Sequence, residues 1–281
     1  MKTQIRKCLF PAAGYGTRFL PATKSIPKEM LPIVNKPLIQ YGVEEALEAG
    51  MNDIAIVTGK GKHAIEDLFD RNPVLEQAVA GTGKEALLAE TNRLIETCTF
   101  SYTRQKQMRG LGDAILTGEP LVGGQPFGVV LADDLCVGDE AAGGVLAQMV
   151  AIHAKYHCSV VAVEEVAPSE THKYGVISGI EVEPGLYHVK EMVEKPAPEE
   201  APSNLAIIGR YILTPDIFDW LRRTPPGKGG EIQITDALGQ QARNGRVLAW
   251  RFRGRRFDCG SVDGFVEATN HFYRQQFAGG D

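Results

Sequence analysis

The sequence predicts an α/β fold of the Rossmann-like kind, with a mixed, mostly parallel sheet flanked by helices. Short apolar runs alternate with helical segments through the first 165 residues, and this alternation is typical of β–α–β units. The runs are almost continuously apolar, which indicates strands that are buried on both faces of the sheet. No Pro-, Gly- or Ser-rich linker divides the 281 residues, so we expect a single domain over 1–281.

The first half supplies four predicted strands and three predicted helices. Apolar runs predict strands at 5–10, 53–58, 127–131 and 159–163. Helices are predicted at 37–49, 62–69 and 149–157. The first of these has Pro37 at a plausible first helical position and Gly50 just past its end. Its apolar residues at 39, 43, 46 and 47 fall on one helical face.

The second half is more mixed. Strands are predicted at 175–180, 187–193 and 205–213, and helices at 215–222, 232–244 and 262–273. Residues 70–98 are rich in Glu, Ala and Leu around a break at Gly81 and Gly83. We expect this stretch to be an insertion or a lid.

Composition excludes several classes of protein. The formal net charge is −5, which argues against a nucleic-acid binder, since such proteins usually have a basic face. The five cysteines are widely spaced and form no CxxC pair, so neither a zinc knuckle nor a redox motif is indicated. No apolar run approaches the roughly 18–20 residues of a membrane span, and no signal-peptide pattern opens the chain. We therefore expect a cytoplasmic protein that binds neither nucleic acid nor membrane.

A glycine-containing loop follows the first strand. Residues 9–18 read LFPAAGYGTR, and glycine lets the backbone approach a ligand closely. Backbone N–H groups at a strand end can hold phosphate oxygens, and Arg18 would add a cation. A dinucleotide fingerprint would need a third glycine where Phe19 stands, and no Walker A loop is present. On spacing alone, the loop could equally be a plain β–α turn.

The next segment makes the pattern specific. Residues 24–32 read KSIPKEMLP, and its lysines could meet a triphosphate as point charges. Joined to the preceding loop, this segment resembles the signature of the sugar-nucleotide pyrophosphorylases, and within them the bacterial UTP–glucose-1-phosphate uridylyltransferases. The match is nearly unbroken over residues 9–40 and extends over most of the chain. It implies a fold of the nucleotide-diphospho-sugar transferase type.

The resemblance also implies an activity and a separate role for each half of the chain. The expected reaction is transfer of UMP from UTP to glucose 1-phosphate, giving UDP-glucose and pyrophosphate, with Mg²⁺ as cofactor. Residues 1–165 would bind the nucleotide, and residues 166–281 would bind the sugar phosphate and supply the C-terminal helices. A homo-oligomer, dimer or tetramer, is expected by analogy with relatives.

Individual residues follow from the same resemblance. Expected catalytic cations are Arg18, Lys28 and Lys195. The expected nucleotide-binding residues are Ala12, Ala13, Gly14, Gly16, Glu29, Gln105 and Gly110. The sugar phosphate would meet Gly175, Glu194 and Lys195, and the metal would meet Asp133 and Asp258.

The chemistry of these residue types suits those roles. A carboxamide such as that of Gln105 both donates and accepts, which suits a uracil edge, and Glu29 could accept the uracil N3–H. Mg²⁺ prefers one or two carboxylates together with phosphate oxygens, as Asp133 and Asp258 would provide. Asp113 stands where the family usually has His, which leaves its local contact open.

Two neighbouring features are interpreted as structural. Asp134 is expected to be a helix cap or a surface carboxylate. The segment at 230–238, GEIQITDAL, is assigned mainly to structure, with Asp236 orienting the site.

Several alternatives remain open from the sequence. The same reaction could use dTTP with glucose 1-phosphate, or GTP with mannose 1-phosphate, because one methyl group is worth only about 1–3 kcal/mol of discrimination. A non-catalytic nucleotide-binding regulator could use the same fold. The β–α alternation alone would also fit a Rossmann dehydrogenase.

Overall fold

A nine-stranded mixed sheet organises residues 4–277, which are the residues that the computed structural model describes. The strands are β1 (Lys7–Pro11), β2 (Pro32–Ile33), β3 (Lys36–Pro37), β4 (Asp53–Thr58), β5 (Thr99–Arg104), β6 (Phe127–Val130), β7 (Asp134–Gly138), β8 (Ser159–Glu165), β9 (Gly175–Glu183), β10 (Leu186–Glu194), β11 (Leu205–Leu213), β12 (Val247–Arg251) and β13 (Gly254–Asp258). The helices are α1 (Leu38–Glu48), α2 (His63–Leu68), α3 (Pro73–Val79), α4 (Ala86–Thr97), α5 (Gly110–Thr117), α6 (Glu119–Val122), α7 (Val145–Tyr156), α8 (Ile217–Arg223), α9 (Ile234–Arg243) and α10 (Val262–Phe277).

The strand order joins the two halves of the chain. It runs β5-β4-β1-β6-β11-β8-β12-β10-β9. In this sheet, β10 and β11 run opposite to the other strands, so the sheet is mixed and mostly parallel by strand direction, as predicted. Strand β11 lies between β6 and β8 and pairs antiparallel with both. The second half therefore completes the sheet of the first half. Outside this sheet, β7 pairs with β13 and β2 pairs with β3.

Two hydrophobic cores lie on opposite faces of the sheet. Because side chains alternate along a strand, Leu9 of β1 packs into one core and Phe10 into the other. The core around Leu9 includes residues of α5, α8 and α9, and the core around Phe10 includes residues of α1, α2 and α7. Helices therefore cover both faces, which is why central strands such as β6 and β11 are buried throughout.

Most predicted elements are present. Strands β4 and β11 have the predicted bounds, and α7 begins four residues before its predicted start, at Val145. Strands β5 and β13 were not predicted, because their sequences TFSYTR and GRRFD are polar and only partly buried. Their pairing depends on distant partners instead of an apolar run of their own.

Residues 70–98 contain α3 and α4, which are separated by Gly81 and Gly83 with φ of 74° and 80°. Buried Leu94 anchors α4 in the core, and Thr91 donates to Gln40 of α1 over 3.3 Å. The molecule has a cleft of about 870 Å³, and the described residues that line it come from outside this segment. Separately, none of the helices within residues 4–277 is both long and apolar enough to cross a membrane.

A glycine-to-alanine pair tests the packing around β1. Gly118 has an ordinary helical φ of −79°, but a Cβ atom placed on it would lie 2.5 Å from Cδ1 of fully buried Leu9. Because a close-packed core cannot absorb an added methyl group, we expect Gly118→Ala to lower the free energy of unfolding by about 1–3 kcal/mol. The measurement is urea denaturation followed by circular dichroism. Gly124→Ala is the matched control, since nothing lies within 4 Å of its added Cβ, and equal stability of both variants would contradict the packing.

Candidate active site

A cleft of about 870 Å³ lies where the two halves of the chain meet. Its lining brings together residues that are far apart in the sequence, among them Arg18, Asp133, Gly175, Lys195 and Asp258. The cleft is rich in charge of both signs, with Arg18, Lys173, Lys195 and Arg256 among several carboxylates. This composition suits a ligand that carries phosphate groups together with a cation.

Arg18 is the last residue of the glycine-containing loop. Gly16 precedes it with a φ of 66°, a left-handed conformation that favours glycine. The Gly16 carbonyl accepts from Thr23 Oγ1 over 2.8 Å, and a Cβ atom on Gly16 would lie only 2.9 Å from Lys28 Cβ. Lys28 therefore packs directly under the loop. The N–H of Ala12 is bonded to the Val57 carbonyl over 2.8 Å, so Ala12 does not offer that donor to a ligand.

The two predicted metal carboxylates converge on one point. Asp133 lies in the turn between β6 and β7, and Asp258 ends β13. A Cβ atom placed on Gly260 would lie 3.0 Å from Asp258 Oδ1, 3.2 Å from Asp133 Oδ2 and 3.2 Å from Arg18 Nη1. The tertiary fold thus places two carboxylates and a guanidinium around Gly260, where only a residue without a side chain fits.

Lys28 is tied to Asp133. Its Nζ lies 2.5 Å from Asp133 Oδ2. Burial alone would raise the pKa of Asp133, but the attraction and hydrogen bond of Lys28 lower it below its usual value. The pKa of Lys28 is raised: burial opposes the shift, and the charges of Asp133 and Glu29 outweigh burial. Both side chains are therefore charged at neutral pH.

Asp134 corrects a sequence-based expectation. It is neither a helix cap nor a surface residue, since it is buried in β7. Its Oδ2 accepts from the Gly209 N–H over 2.6 Å, and its Oδ1 accepts from Arg256 over 2.6–2.7 Å. Burial raises its pKa, while the charge of Arg256 opposes this shift. Asp134 therefore fixes the turn that carries Asp133 against β11.

Arg256 lines the cleft but was not singled out from the sequence. Its side chain is 6% exposed and pairs with Asp134 and with Glu164, the latter over 2.5 Å. It also stacks over the Tyr174 ring at 5.1 Å and lies 4.0 Å from Asp258 Oδ2. The one available signal was its position in β13, two residues before Asp258 and so on the same face of the strand. Arg256 links the two carboxylate segments of the cleft.

The predicted sugar-phosphate residues form a second group. Glu194 ends β10, and its Oε2 accepts from Thr235 Oγ1 over 2.7 Å. A Cβ atom on Gly175 would lie 2.8 Å from that hydroxyl and 3.2 Å from Glu194 Oε2. The segment around Thr235 was expected to be mainly structural, yet Thr235 lines the cleft. Asp236, the residue that was expected to orient the site, lines a separate smaller pocket instead.

Lys195 is held in an unusual backbone conformation. Its φ is 47°, and a non-glycine residue in this region is strained by about 1–3 kcal/mol. Its N–H donates to the Tyr174 carbonyl over 2.9 Å, which fixes the strained turn. Its Nζ lies 3.2 Å from Glu194 Oε1, and its side chain is 44% exposed. The ammonium group therefore remains accessible in the cleft.

Residues 104–114, which include the predicted base contacts Gln105 and Gly110 and are termed the base loop, pack against the segment that precedes α9. Gln105 is buried, and its Nε2 donates to Asp113 Oδ2 over 2.7 Å and weakly to the Gly110 carbonyl over 3.4 Å. Gly110 has a φ of 90°, and its added Cβ would lie 2.7 Å from Glu231 Cβ. This loop and the glycine loop also approach each other, since a Cβ atom on Gly59 would lie 2.9 Å from the Ala13 carbonyl and 3.3 Å from Met108 Cε.

Glu29 is buried beside two lysines. It is 1% exposed, and its Oε2 accepts from buried Lys62 over 2.7 Å. Burial raises its pKa, although Lys28 and Lys62 oppose the shift. Only Oε2 is engaged in this ion pair, since Glu29 Oε1 has no hydrogen-bond partner among the described residues. The contact between Glu29 and a base therefore stays a prediction.

The carboxylates present suit a hard cation only in part. Within residues 4–277, no group of three or more His, Cys, Asp or Glu side chains is arranged to hold a metal ion. Asp133 and Asp258 nevertheless match the pattern of Mg²⁺, which takes one or two carboxylates and completes its shell with phosphate oxygens and water. The chemistry of this donor set therefore fits a cation that arrives with a phosphate ligand.

The fold and the cleft define a nucleotidyltransferase: residues 9–275 match the family model described as nucleotidyl transferase, and the chain belongs to that family. A UTP–glucose-1-phosphate uridylyltransferase of Pseudomonas aeruginosa is 65% identical over 274 residues, covering 96% of this chain and 98% of the relative. The chain thus belongs with the UTP–glucose-1-phosphate uridylyltransferases.

Solved structures agree with this assignment. An apo UDP-glucose pyrophosphorylase superimposes with a TM-score of 0.94 at 60% identity, covering 97% of this chain and all of that one. A UDP-glucose pyrophosphorylase complexed with UDP-glucose gives 0.91 at 60% identity, covering 96% and 99%. These likenesses confirm the family and the α/β fold that the sequence predicted.

Proposed function

We propose that this chain transfers UMP from UTP to glucose 1-phosphate, releasing pyrophosphate and forming UDP-glucose. The observation that carries the proposal is the convergence of Arg18, Asp133 and Asp258 around Gly260, in the same cleft as Glu194 and Lys195. The 65% identity to a relative with this named activity supports the choice of substrates, as does the likeness to a protein solved with UDP-glucose.

The reaction requires fixed cations and correctly placed substrates more than it requires a general base. The second pKa of a phosphate monoester is about 6, so the sugar phosphate is largely a dianion at neutral pH and can attack the α-phosphorus directly. The main obstacle is repulsion between two polyanions, which fixed cations offset. Arg18 and Lys28 would hold the triphosphate, and Lys195 would hold the sugar phosphate. In-line attack then follows from their placement.

The proposed cofactor is Mg²⁺, held by Asp133 and Asp258. When bound, such a cation offsets phosphate charge during phosphoryl-type transfer. Asp133 would be held in position for the cation, because Arg256 and Gly209 bond to the neighbouring Asp134 and so fix the turn that carries Asp133. We also propose, by analogy with relatives, that the protein is cytoplasmic and acts as a homo-oligomer.

Pyrophosphate release tests this function directly. The purified protein is mixed with glucose 1-phosphate, Mg²⁺ and each nucleoside triphosphate in turn, and released pyrophosphate is measured. We expect release with UTP to exceed that with the other nucleotides and to stop when EDTA removes the divalent cation. Activity with dTTP or GTP but not UTP would keep the mechanism and overturn the base preference. Nucleotide binding without pyrophosphate release, whichever sugar phosphate is added, would favour the non-catalytic regulator.

A further inference from the structure

We propose that Asp113 is a positioning residue that locks the carboxamide of Gln105 in the orientation that reads uracil and rejects cytosine. This inference rests on the proposed function, because it concerns the base that the nucleotide site selects. It assigns a role to the one residue of the base loop at which this sequence departs from the pattern that it resembles.

We call the hydrogen bond by which Asp113 holds the Gln105 carboxamide the lock, and the contacts of Gln105 show it. Both side chains are nearly enclosed, with Gln105 5% and Asp113 4% exposed. Asp113 Oδ2 accepts from Gln105 Nε2 over 2.7 Å. A carboxylate accepts hydrogen bonds but does not donate them. If the amide turned over, its carbonyl oxygen would face the carboxylate oxygen, and two buried acceptors would oppose each other.

Arg109 fixes the other end of Asp113. Its Nη2 and Nε donate to Asp113 Oδ1 over 2.7 and 3.1 Å. Two hydrogen bonds from one guanidinium restrict the rotation of the carboxylate. Arg109 and Asp113 together therefore keep the amide nitrogen of Gln105 turned toward Asp113. Among residues 4–277, none donates a hydrogen bond to Gln105 Oε1.

The chemical consequence is selection between pyrimidines. A fixed Oε1 is an acceptor, and it complements the N3–H of uracil. Cytosine carries an unprotonated N3 at the same position, so the same oxygen would meet a lone pair. A freely turning glutamine could satisfy either base, because its amide offers a donor on one side and an acceptor on the other. Discrimination against CTP therefore depends on the lock as well as on Gln105 itself.

The test compares UTP with CTP in wild type and in Asp113→Asn. Asparagine keeps the shape of the side chain, but it can accept or donate and so permits both amide orientations. We expect the ratio of kcat/KM for UTP to that for CTP to fall by at least about 10-fold, as losing one buried hydrogen-bond match should produce. The dissociation constants of both nucleotides are measured in parallel by calorimetry without sugar phosphate, so the preference is read even if turnover is absent.

Two further variants separate the lock from general effects of charge or folding. Arg109→Gln leaves Asp113 in place but frees its Oδ1, and because Arg109 is 55% exposed this variant is expected to fold. Its UTP-to-CTP ratio should fall in the same direction by a smaller factor, about threefold. Lys106→Gln removes the same charge from an exposed position of the same loop and should leave the ratio unchanged.

The outcomes distinguish this inference from the proposed function. A ratio that stays within about twofold in both Asp113→Asn and Arg109→Gln, with wild type active on UTP, overturns the lock and keeps the function. Wild type that binds UTP and CTP equally also overturns the lock. If Asp113→Asn does not fold, the binding ratio of Arg109→Gln decides: a fall supports the lock, and no change refutes it.

Discussion

Replacing Asp133 by asparagine is expected to lower kcat for pyrophosphate release by at least about 100-fold, as loss of preorganised charge in an active site does. The isosteric change removes the negative charge that faces Asp258 and Arg18 around Gly260. It also removes the charged partner of Lys28, 2.5 Å away, so the lysine is no longer held in place. The measurement is steady-state release with saturating UTP, glucose 1-phosphate and Mg²⁺.

A second carboxylate of the same cleft provides the control. Asp263 lies in the first turn of α10, is exposed and also lines the cleft. Asp263→Asn changes the same charge in the same cavity, and we expect its kcat to stay within about twofold of wild type, as is usual for surface substitutions. Circular dichroism of both variants checks that they are folded. Comparable activity in Asp133→Asn and Asp263→Asn would refute the assignment of Asp133.

Replacing Lys195 by alanine is expected to reduce kcat/KM for glucose 1-phosphate by at least about 100-fold. The ammonium group is the cation nearest Glu194 and is accessible in the cleft. Alanine keeps a Cβ atom at the φ of 47°, so the backbone strain is similar and the loss reports mainly the missing charge. The measurement varies glucose 1-phosphate at saturating UTP, and the KM for UTP should change little.

Lys173→Ala is the matched control for this variant. Lys173 lines the same cleft, but it is exposed and paired with Glu170 over 2.8 Å. Its removal should leave kcat/KM for glucose 1-phosphate within about threefold of wild type, because exposed ion pairs contribute little. Should the two alanine variants lose the same activity, the effect would come from the general charge of the cleft and not from a specific contact of Lys195.

Some residues of the site could be located from the sequence, and others could not. Arg18, Asp133 and Lys195 line one cleft, and the motif that pointed to each of them lies next to a strand end, where an open α/β sheet binds its ligands. The ion pair of Glu29 and the burial of Asp134 were missed, because packing decides which cation lies beside a carboxylate. Their partners, Lys62 and Arg256, lie 33 and 122 residues away.

The amino-acid sequence by itself determined the α/β class, most strands and helices, the family and the loops that carry the charged residues, because apolar periodicity and short motifs are local properties of the chain. Only the tertiary structure decided that β11 enters the sheet between β6 and β8, that Arg256 joins Asp134 to Glu164, and that Asp113 holds Gln105. These contacts form when buried polar groups must find partners, and which partner is within reach depends on how the whole chain packs.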